Sequence, residues 1–410
     1  MVAGGPRRGT CSSISNVWHS RVLAVATSML LFGGPLGAGD AFSREAAKEG
    51  SAAVRISWDD GKTTFETERF VANLSHRMQL RWVLELPDAD LVLPGAARGG
   101  ENKGSFRFAR VRTKLDGWVY EKAIEYEIQL DWADSSSIVQ DLNLNWDASG
   151  RRFVQVKFGQ FKVPFGRQAI TSAMSQQFVD RSIVAAEFQK GRDQGLQVWG
   201  EVVGSKLEYR AGVFNGAGRQ RTLGTPAAGN DNTSYQYDAR VMVQPFGGDV
   251  KYSEGDFEST QRALLAVALN VEENDARVPA ASGSTPPPDP AFKRLVLGGD
   301  LSFKYRGVSL MGEYFDRKQT PLDGGSLKSN GYHVQAGYFL KRNRFEVAFR
   351  YAAFDPNDLI SQNDRREVGG ALNYFYSKHT LKVQADFRQL EDESTSTKNR
   401  ELRLQAQLVF

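Results

Sequence analysis

Alternating polarity along the chain, an even number of predicted strands and a terminal aromatic residue together predict an all-β fold: a 16-stranded antiparallel transmembrane β-barrel. From residue 72 onward, apolar side chains recur at every second position, as at Tyr126, Ile128 and Leu130, with acidic or amide residues between them. Period-two alternation is typical of strands whose two faces meet different environments, here lipid outside and water inside. A β-sandwich shows the same alternation, so this pattern alone does not separate the two folds.

The amino terminus carries the one apolar block of the chain. Residues 22–32 (VLAVATSMLLF) follow three arginines and precede a run of small residues. The block is too short to span a bilayer as a helix, and its setting is typical of a secretory signal peptide rather than of an ordinary buried helix. The sequence therefore predicts a signal peptide over residues 1–41, with cleavage after Ala38 or Ala41.

A short periplasmic segment is predicted over residues 42–70, ahead of the barrel domain at 71–410. Within it, residues 53–67 form two short alternating runs joined by Asp59-Asp60-Gly61. Aspartate followed by glycine favours a tight hairpin turn. We therefore expect a small hairpin before the first barrel strand.

The barrel is predicted from strand count and from the lengths of the connections. The predicted strands lie near residues 71–84, 104–116, 118–131, 138–147, 152–161, 194–203, 205–214, 235–244, 261–270, 293–304, 308–317, 330–339, 343–352, 367–376, 380–388 and 400–410. Tight turns alternate with longer polar loops, including 215–234, 271–292, 318–329, 353–366 and 389–399, and the connection 245–260 is a long exception among the turns. Short turns on one rim and long loops on the other are typical of bacterial outer-membrane barrels. Sixteen strands also leave room for a water-filled lumen.

The last strand helps to predict the cellular location of the protein. Residues 402–408 alternate, and the chain stops on Phe410. A terminal aromatic residue in a strand resembles the signal read by the barrel-assembly machinery, and the alternative is a final strand in a soluble sheet. With the signal peptide, it predicts the outer membrane of a Gram-negative cell.

Composition excludes several classes of function. Mean hydropathy is −0.43, which argues against an α-helical membrane bundle. The net charge is +4, and removing residues 1–41 would lower it to +2, so a nucleic-acid partner is not expected. The one cysteine, Cys11, lies in the predicted leader. No metal-ligand spacing or phosphate-cradling glycine loop is visible, and we expect neither metal nor cofactor.

The third long loop, residues 162–193, is the longest and differs from the others in composition. It carries Phe165, Met174, Phe178 and Phe188, which a fully solvated loop tip would not need. Short helical stretches are predicted at 171–179 and 182–188. We expect the loop to fold inward against the barrel wall and narrow the lumen.

Motifs in and after this loop resemble the phosphate-selective porin family, the O/P-type porins. They include residues 159–166 (GQFKVPFG), 178–182 (FVDRS) and 191–198 (GRDQGLQV), followed in the same order by 212–216, 305–307, 312–315 and 331–339. The similarity spans about residues 70 to 410. The resemblance implies a homotrimeric porin in outer-membrane lipid that passes small anions such as phosphate.

A channel for anions needs cationic side chains at its narrowest point, and arginine offers phosphate several N–H donors in a planar fork. The candidate channel-lining residues are Lys162, Arg167, Arg181, Lys190 and Arg192 from the third loop, and Arg107, Arg110, Arg112 and Lys114 from the second strand. Arg240, Lys304, Arg350 and Arg403 could add to them from other strands. Acidic residues could instead neutralise this set as structural ion pairs: Glu125, Glu127, Asp131, Asp180, Glu187 and Asp193.

Three other functions stay open. A general, non-selective porin fits the small net charge as well. A hydrolase would need a histidine base; the mature chain offers His76, His333 and His379, of which only His333 lies in the polar phase of its strand near the long-loop rim. A non-conducting barrel is the third alternative. We expect a channel and not an enzyme.

Overall fold

A closed ring of sixteen antiparallel strands forms the wall of a barrel, in which the last strand pairs with the first barrel strand. The computed structural model describes residues 54–88, 101–134, 138–189, 191–216, 218, 234–248, 250, 252–275, 292–321 and 325–410. The predicted signal peptide, residues 1–41, lies outside this part of the chain.

Two strands precede the ring: β1 (Arg55–Asp59) and β2 (Lys62–Glu66). The ring consists of β3 (Phe70–Leu86), β4 (Lys103–Val119), β5 (Glu121–Asp131), β6 (Val139–Asp147), β7 (Gln155–Lys162), β8 (Arg192–Val202), β9 (Leu207–Phe214), β10 (Gln236–Val243), β11 (Leu264–Asn274), β12 (Phe292–Tyr305), β13 (Val308–Pro321), β14 (Leu327–Lys341), β15 (Phe345–Asp355), β16 (Arg365–Ser377), β17 (Leu381–Asp392) and β18 (Thr397–Val409). The predicted sixteen-stranded barrel is confirmed, and each predicted barrel strand corresponds to one observed strand.

The predicted loops 318–329 and 389–399 are wrong in their bounds, because strands occupy most of both segments. An ion pair lies within the added part of β17 and β18, with Lys398 Nζ 3.3 Å from Glu391 Oε1, and a second lies beside it, with Arg388 Nη2 2.8 Å from Glu401 Oε2. Both faces of these strand ends are polar, so the alternation that marks a strand in the sequence is lost there.

Burial along the strands is the reverse of that in a soluble protein. On β16, Asn373 is 0% exposed while its neighbour Leu372 is 49% exposed. Polar side chains point into the barrel and apolar ones point outward along most strands, as expected when lipid surrounds the wall. No helix among the described residues is long and apolar enough to cross a membrane.

The hairpin of β1 and β2 continues the wall beside β3. Asp60 and Gly61 both have positive φ, as a two-residue hairpin turn requires. β2 pairs with the first residues of β3, and β18 pairs with the rest. The Phe410 N–H donates to His76 O at 2.9 Å, so the last residue of the chain fixes the register in which the ring closes.

The segment 163–191 between β7 and β8, called loop 3 below, folds into the barrel. It contains helix α1 (Arg167–Ile170), a 3₁₀ turn (Ala173–Ser175) and helix α2 (Ile183–Phe188). The helix predicted at 171–179 is therefore reduced to the 3₁₀ turn, with α1 before it. The helix predicted at 182–188 corresponds to α2, whose first turn is capped by the Ser182 hydroxyl accepting from Ala185 N at 3.0 Å.

Apolar side chains of loop 3 pack against inward-facing aromatic residues of the wall. The Phe188 ring stacks on Phe315 at 5.3 Å between centroids and meets the edge of Phe354 at 5.6 Å. Phe165 lies 5.5 Å from Phe315. This buried cluster is the reason for the apolar composition of the loop, and it lies inside the barrel rather than between sheets.

Gly159 on β7 has no space for a side chain. Its φ is +122°, and a Cβ placed there would lie 2.2 Å from Leu142 O of the neighbouring strand.

Gly159→Ala is expected to destabilise the barrel by about 1–3 kcal/mol, because the backbone must leave a conformation that only glycine adopts easily. The temperature at which the folded barrel changes its gel mobility would report this loss. Gly325→Ala, where nothing lies within 4 Å of the added atom, is the matched control; equal midpoints for the two variants would contradict the prediction.

Candidate functional site

The backbone of loop 3 is hydrogen-bonded by carboxylates that point inward from the wall. Glu313 accepts from the N–H groups of Arg167 and Gln168. Asp386 accepts from Val179 N at 2.9 Å, and Glu367 accepts from Ile183 N at 2.8 Å. A buried backbone group without a partner costs free energy, so these contacts fix loop 3 against the β13–β17 part of the wall.

Arginines neutralise most of the carboxylates on this side. Arg350 Nη1 lies 3.1 Å from Glu367 Oε1, and Arg403 Nε lies 2.7 Å from Asp386 Oδ1. Asp300 receives Arg240 and, at 3.0 Å, Nε of Arg167. These arginines are at most 2% exposed. The half of the lumen next to β10–β18 is therefore filled with paired charges.

A cavity of about 420 Å³ remains between loop 3 and the wall formed by β3–β9. Nine cationic side chains and two carboxylates line it, together with polar and apolar groups. The cations are Arg77, Arg110, Arg112, Lys114, Lys157, Lys162, Arg181, Arg192 and Arg210, and the carboxylates are Glu127 and Asp141. The balance of charge around the open space is strongly positive.

Five of these cations have a carboxylate partner. The pairs are Arg112–Asp131 at 2.7 Å, Arg192–Asp141 at 2.8 Å, Lys114–Glu127 at 3.2 Å, Arg210–Glu208 at 2.8 Å and Arg110–Asp180 at 3.6 Å. Their positive charge is therefore partly offset within the wall.

Lys162 and Arg181 are instead held by neutral carbonyl oxygens at the end of α1. Lys162 Nζ donates to the carbonyls of residues 170 and 171 at 2.7 and 2.9 Å. Arg181 donates to those of residues 168, 169 and 171 at 2.9 to 3.2 Å. The last carbonyls of a helix have no partner within the helix, so they can fix a cation without cancelling its charge.

Arg181 stays charged at neutral pH. Burial lowers the pKa of its guanidinium to about 10, with the nearby Arg192 and Arg112 acting in the same direction and Glu254 opposing them. That value is still well above physiological pH.

Arg77 and Lys157 also have no carboxylate in contact among the described residues. Arg77 Nη1 reaches Gln129 Oε1 only at 3.5 Å, and its Nε is buried without a partner. Lys157 Nζ lies over the rings of Phe161 and Trp199 at 5.6 and 5.9 Å. Ring faces attract a cation while leaving its formal charge intact.

Asp180 joins loop 3 to the arginines beside the cavity. Its carboxylate lies 2.7 Å from Arg81 Nη1, 3.2 Å from Arg403 Nη1 and 3.6 Å from Arg110 Nη2. Burial disfavours the charged form, but Arg81, Arg403 and Arg110 outweigh it and lower the pKa of Asp180 to about 2. The carboxylate is thus ionised at any pH at which the protein is expected to work.

Six of the nine predicted channel-lining residues meet around this cavity: Arg110, Arg112, Lys114, Lys162, Arg181 and Arg192. Arg107 shares their face of β4, because a bulge opposite Gln79 and Leu80 shifts the register and places Arg107 opposite Arg81. It is exposed and lies outside the cavity lining. The side chain of Lys190 is outside the described part of the chain.

Arg167 does not lie where the sequence prediction put it. It is 2% exposed, with Nη2 2.9 Å from Met242 Sδ and its guanidinium 5.0 Å from the Tyr252 ring. Arg240, Arg350 and Arg403, named as possible additions, are likewise buried and paired, and Lys304 donates to Ser253 Oγ at 2.8 Å. Arg350 and Arg403 pair with carboxylates of an adjacent strand, 17 positions away in each case, whereas Asp300 lies 60 positions from Arg240.

Three lining residues, Arg77, Lys157 and Arg210, were missed from the sequence. Each stands in the polar phase of its strand, as Arg77 does between the outward-facing His76 and Met78. The alternation therefore contained the signal. The cross-strand register is a second signal for a lining residue, because Arg77 lies directly opposite Arg112 and the two guanidiniums come together.

The residue considered as a catalytic base, His333, is 0% exposed and lies outside the cavity lining. Its Nε2 is 3.6 Å from Glu313 Oε2, the carboxylate that binds the start of α1. Among the described residues, no group of three or more His, Cys, Asp or Glu side chains could hold a metal ion.

A curated relative from Aquifex aeolicus, described as an uncharacterized protein, is 24% identical over 245 residues. The match covers 55% of this chain and 57% of that protein, so the chain spans little more than half the length of this relative.

Solved structures share the fold at low sequence identity. The anion-selective porin from Comamonas acidovorans is 13% identical, with a TM-score of 0.58 over 83% of this chain and 100% of that one. The outer membrane channel DcaP of Acinetobacter baumannii is 12% identical, with a TM-score of 0.56 over 84% and 99%. OmpT of Vibrio cholerae in its trimer form is 11% identical, with a TM-score of 0.53 over 83% and 99%.

The model of the family "Phosphate-selective porin O and P" matches residues 87–410, which include loop 3, every cavity-lining residue except Arg77 and fifteen of the sixteen barrel strands. This is most of the chain, and the match agrees with the motifs around loop 3. The chain belongs to the phosphate-selective porin O and P family.

Proposed function

We propose that this porin lets small anions diffuse passively across the outer membrane through the cavity between loop 3 and β3–β9. The observation that carries the proposal is the lining of nine cations against two carboxylates. In a narrow space with low-dielectric walls, such an excess attracts anions and repels cations. The net charge of the whole chain is only +4, so selectivity would come from this local arrangement.

Phosphate is the proposed preferred solute. A phosphate ion needs several N–H donors around it, and arginine supplies them in a fixed fork. The Arg181 Nη1 group makes none of the bonds that hold Arg181 to loop 3, and Arg77 contributes a further guanidinium without a carboxylate. The family to which the chain belongs supports the same choice.

We propose a homotrimer in outer-membrane lipid, exported by the signal peptide and inserted through recognition of Phe410. A hydrolase is disfavoured because His333 is buried under loop 3. A non-conducting barrel is disfavoured because a cavity of about 420 Å³, lined mainly by charged and polar groups, remains beside loop 3.

Lys162 and Arg181 are expected to set ion selectivity. Replacing both by glutamine should lower the anion-to-cation permeability ratio by about threefold or more, because each replacement removes a positive charge that is not ion-paired with a carboxylate of the described residues. Reversal potentials across a planar bilayer in a KCl gradient measure the ratio. Arg107→Gln, on the same wall but outside the cavity lining, is the control. An unchanged ratio in the double variant would remove loop 3 from the selectivity filter.

Phosphate is expected to reduce chloride current through the wild-type channel in the millimolar range and to saturate. A bound anion occupies the narrow site that chloride must cross. The measurement is single-channel current in KCl with phosphate added to one side, and sulfate at matched ionic strength is the control. A linear, non-saturating response identical for both anions would indicate a general anion channel instead.

Asp180→Asn is expected to raise the anion-to-cation permeability ratio, because one negative charge beside Arg110 is lost. The pKa of Asp180 is lowered, so its charge is present above the ordinary aspartate value of about 3.9 and lost only as the pH falls through about 2. The difference between wild type and variant should therefore be the same at pH 7 and pH 4. Glu187→Gln, which removes a loop 3 carboxylate paired with Arg317 away from the cavity, is the control. A difference that vanishes at pH 4 would show that Asp180 titrates normally.

A further inference from the structure

The connection between β10 and β11 is the longest on the rim of short turns, and it folds into the lumen. Its described residues are 244–248, 250 and 252–263, called the inner turn below. Tyr252 donates to Glu208 Oε1 at 2.5 Å. Phe257 packs against Phe339 and Phe375, at 5.8 and 5.3 Å between ring centroids. The inner turn is thus anchored to the wall at two separate places.

Glu254, between these anchors, binds loop 3 from below. Its backbone N–H donates to Ser175 O at 3.0 Å. Its carboxylate accepts from Gln168 Nε2 and from Gln177 N, both at 2.8 Å. Gln335 Nε2 of the wall donates to the same carboxylate at 2.8 Å. Glu254 is 2% exposed, so water does not replace these partners.

The same point is packed without spare volume. A Cβ at Gly255 would lie 2.4 Å from Glu346 Oε1, the oxygen that accepts from Gln177 Nε2 at 2.6 Å. Gln177 also accepts from Gln335 Nε2 at 2.6 Å. Inner turn, loop 3 and wall therefore share one buried hydrogen-bond network.

This network lies next to the cations of the cavity. The carbonyls of residues 168–171 hold Lys162 and Arg181. Gln168 and Ser175, both bound by Glu254, lie at the start of this stretch and just beyond its end. Ser172 and Ser175 also line the cavity. The carboxylates of the β13–β17 wall accept from backbone N–H groups of loop 3 at its start and from Val179 onward, and Glu346 accepts from the Gln177 side chain. Glu254 binds both sides of the stretch between them.

We propose that Glu254 is a positioning residue: from the opposite side of loop 3 it fixes the carbonyls that hold Lys162 and Arg181, and so keeps the anion path narrow and cationic. The effect of Glu254 on ion selectivity rests on the proposed function, whereas its effect on the conformation of loop 3 is independent of that function. The inner turn thereby supports loop 3 from the rim opposite the one that supplies loop 3.

The test compares Glu254→Ala and Glu254→Gln with Glu258→Ala and Glu258→Gln. Glu258 carries the same charge on the same turn but is exposed. Folding of each variant is checked by heat-modified gel mobility. Glu254→Ala and Glu254→Gln both remove a negative charge that acts on Arg181. Glu254→Ala should therefore increase open-channel current noise and lower the anion-to-cation permeability ratio by about threefold relative to Glu254→Gln. The current noise of Glu254→Gln should lie between those of wild type and Glu254→Ala, because an amide oxygen can still accept from Gln177 while its NH₂ group faces a donor at Gln168.

Hydrogen exchange of loop 3 amides separates the two possible failures. In Glu254→Ala, the amides of residues 173–182 should exchange faster than in Glu258→Ala, whether or not the channel is anion-selective. Equal exchange and equal noise in these two variants would overturn the inference. A wild-type channel that carries no current or prefers cations would instead overturn the proposed function, and the exchange result would still decide the role of Glu254.

Discussion

The backbone of a segment folded inside a barrel has no strand of its own to pair with, and this constraint determines much of the structure. Loop 3 satisfies its N–H groups with the carboxylates of Glu313, Glu367, Asp386 and Glu254. A buried carboxylate needs a compensating charge or several donors. Most of the arginines and amides on the inner faces of β10–β18 serve this need, and the closed half of the lumen follows from it.

The basic residues of the barrel therefore fall into two groups with different roles. On the inner faces of β10–β18 the arginines are buried and ion-paired, as at Arg350 and Arg403, and the lysines Lys304 and Lys382 donate to a hydroxyl and a carbonyl oxygen. The number of these cations says nothing about the solute. Around the cavity, carbonyl oxygens, amides and aromatic rings hold Lys162, Arg181, Arg77 and Lys157. The kind of group that holds each cation, rather than the count of cations, indicates which of them act on an ion.

Alternation along the chain was enough to predict the strands and their number, because each strand separates lipid from water at every second residue. It failed at strand ends such as 389–399, where both faces are polar. The site was less predictable. Arg167 could not be recognised as buried, since its partner Asp300 lies 133 positions away and only the inward folding of loop 3 brings them together. The bulge that turns Arg107 inward has no signature in the alternation.

The cavity lies on one side of the lumen, next to β3–β9, and this position determines which amino-acid substitutions the barrel can accept. A substitution at Glu367 or Asp386 leaves a buried partner and a loop N–H without a counterpart, so changes on that half must come in matched sets. Arg77 and Lys157 line the cavity with no carboxylate among the described residues in contact, so one replacement there alters the field and leaves no ion-pair partner behind. Single substitutions on the cavity side can therefore change which solute is preferred. The opposite side keeps the scaffold in place while such substitutions occur.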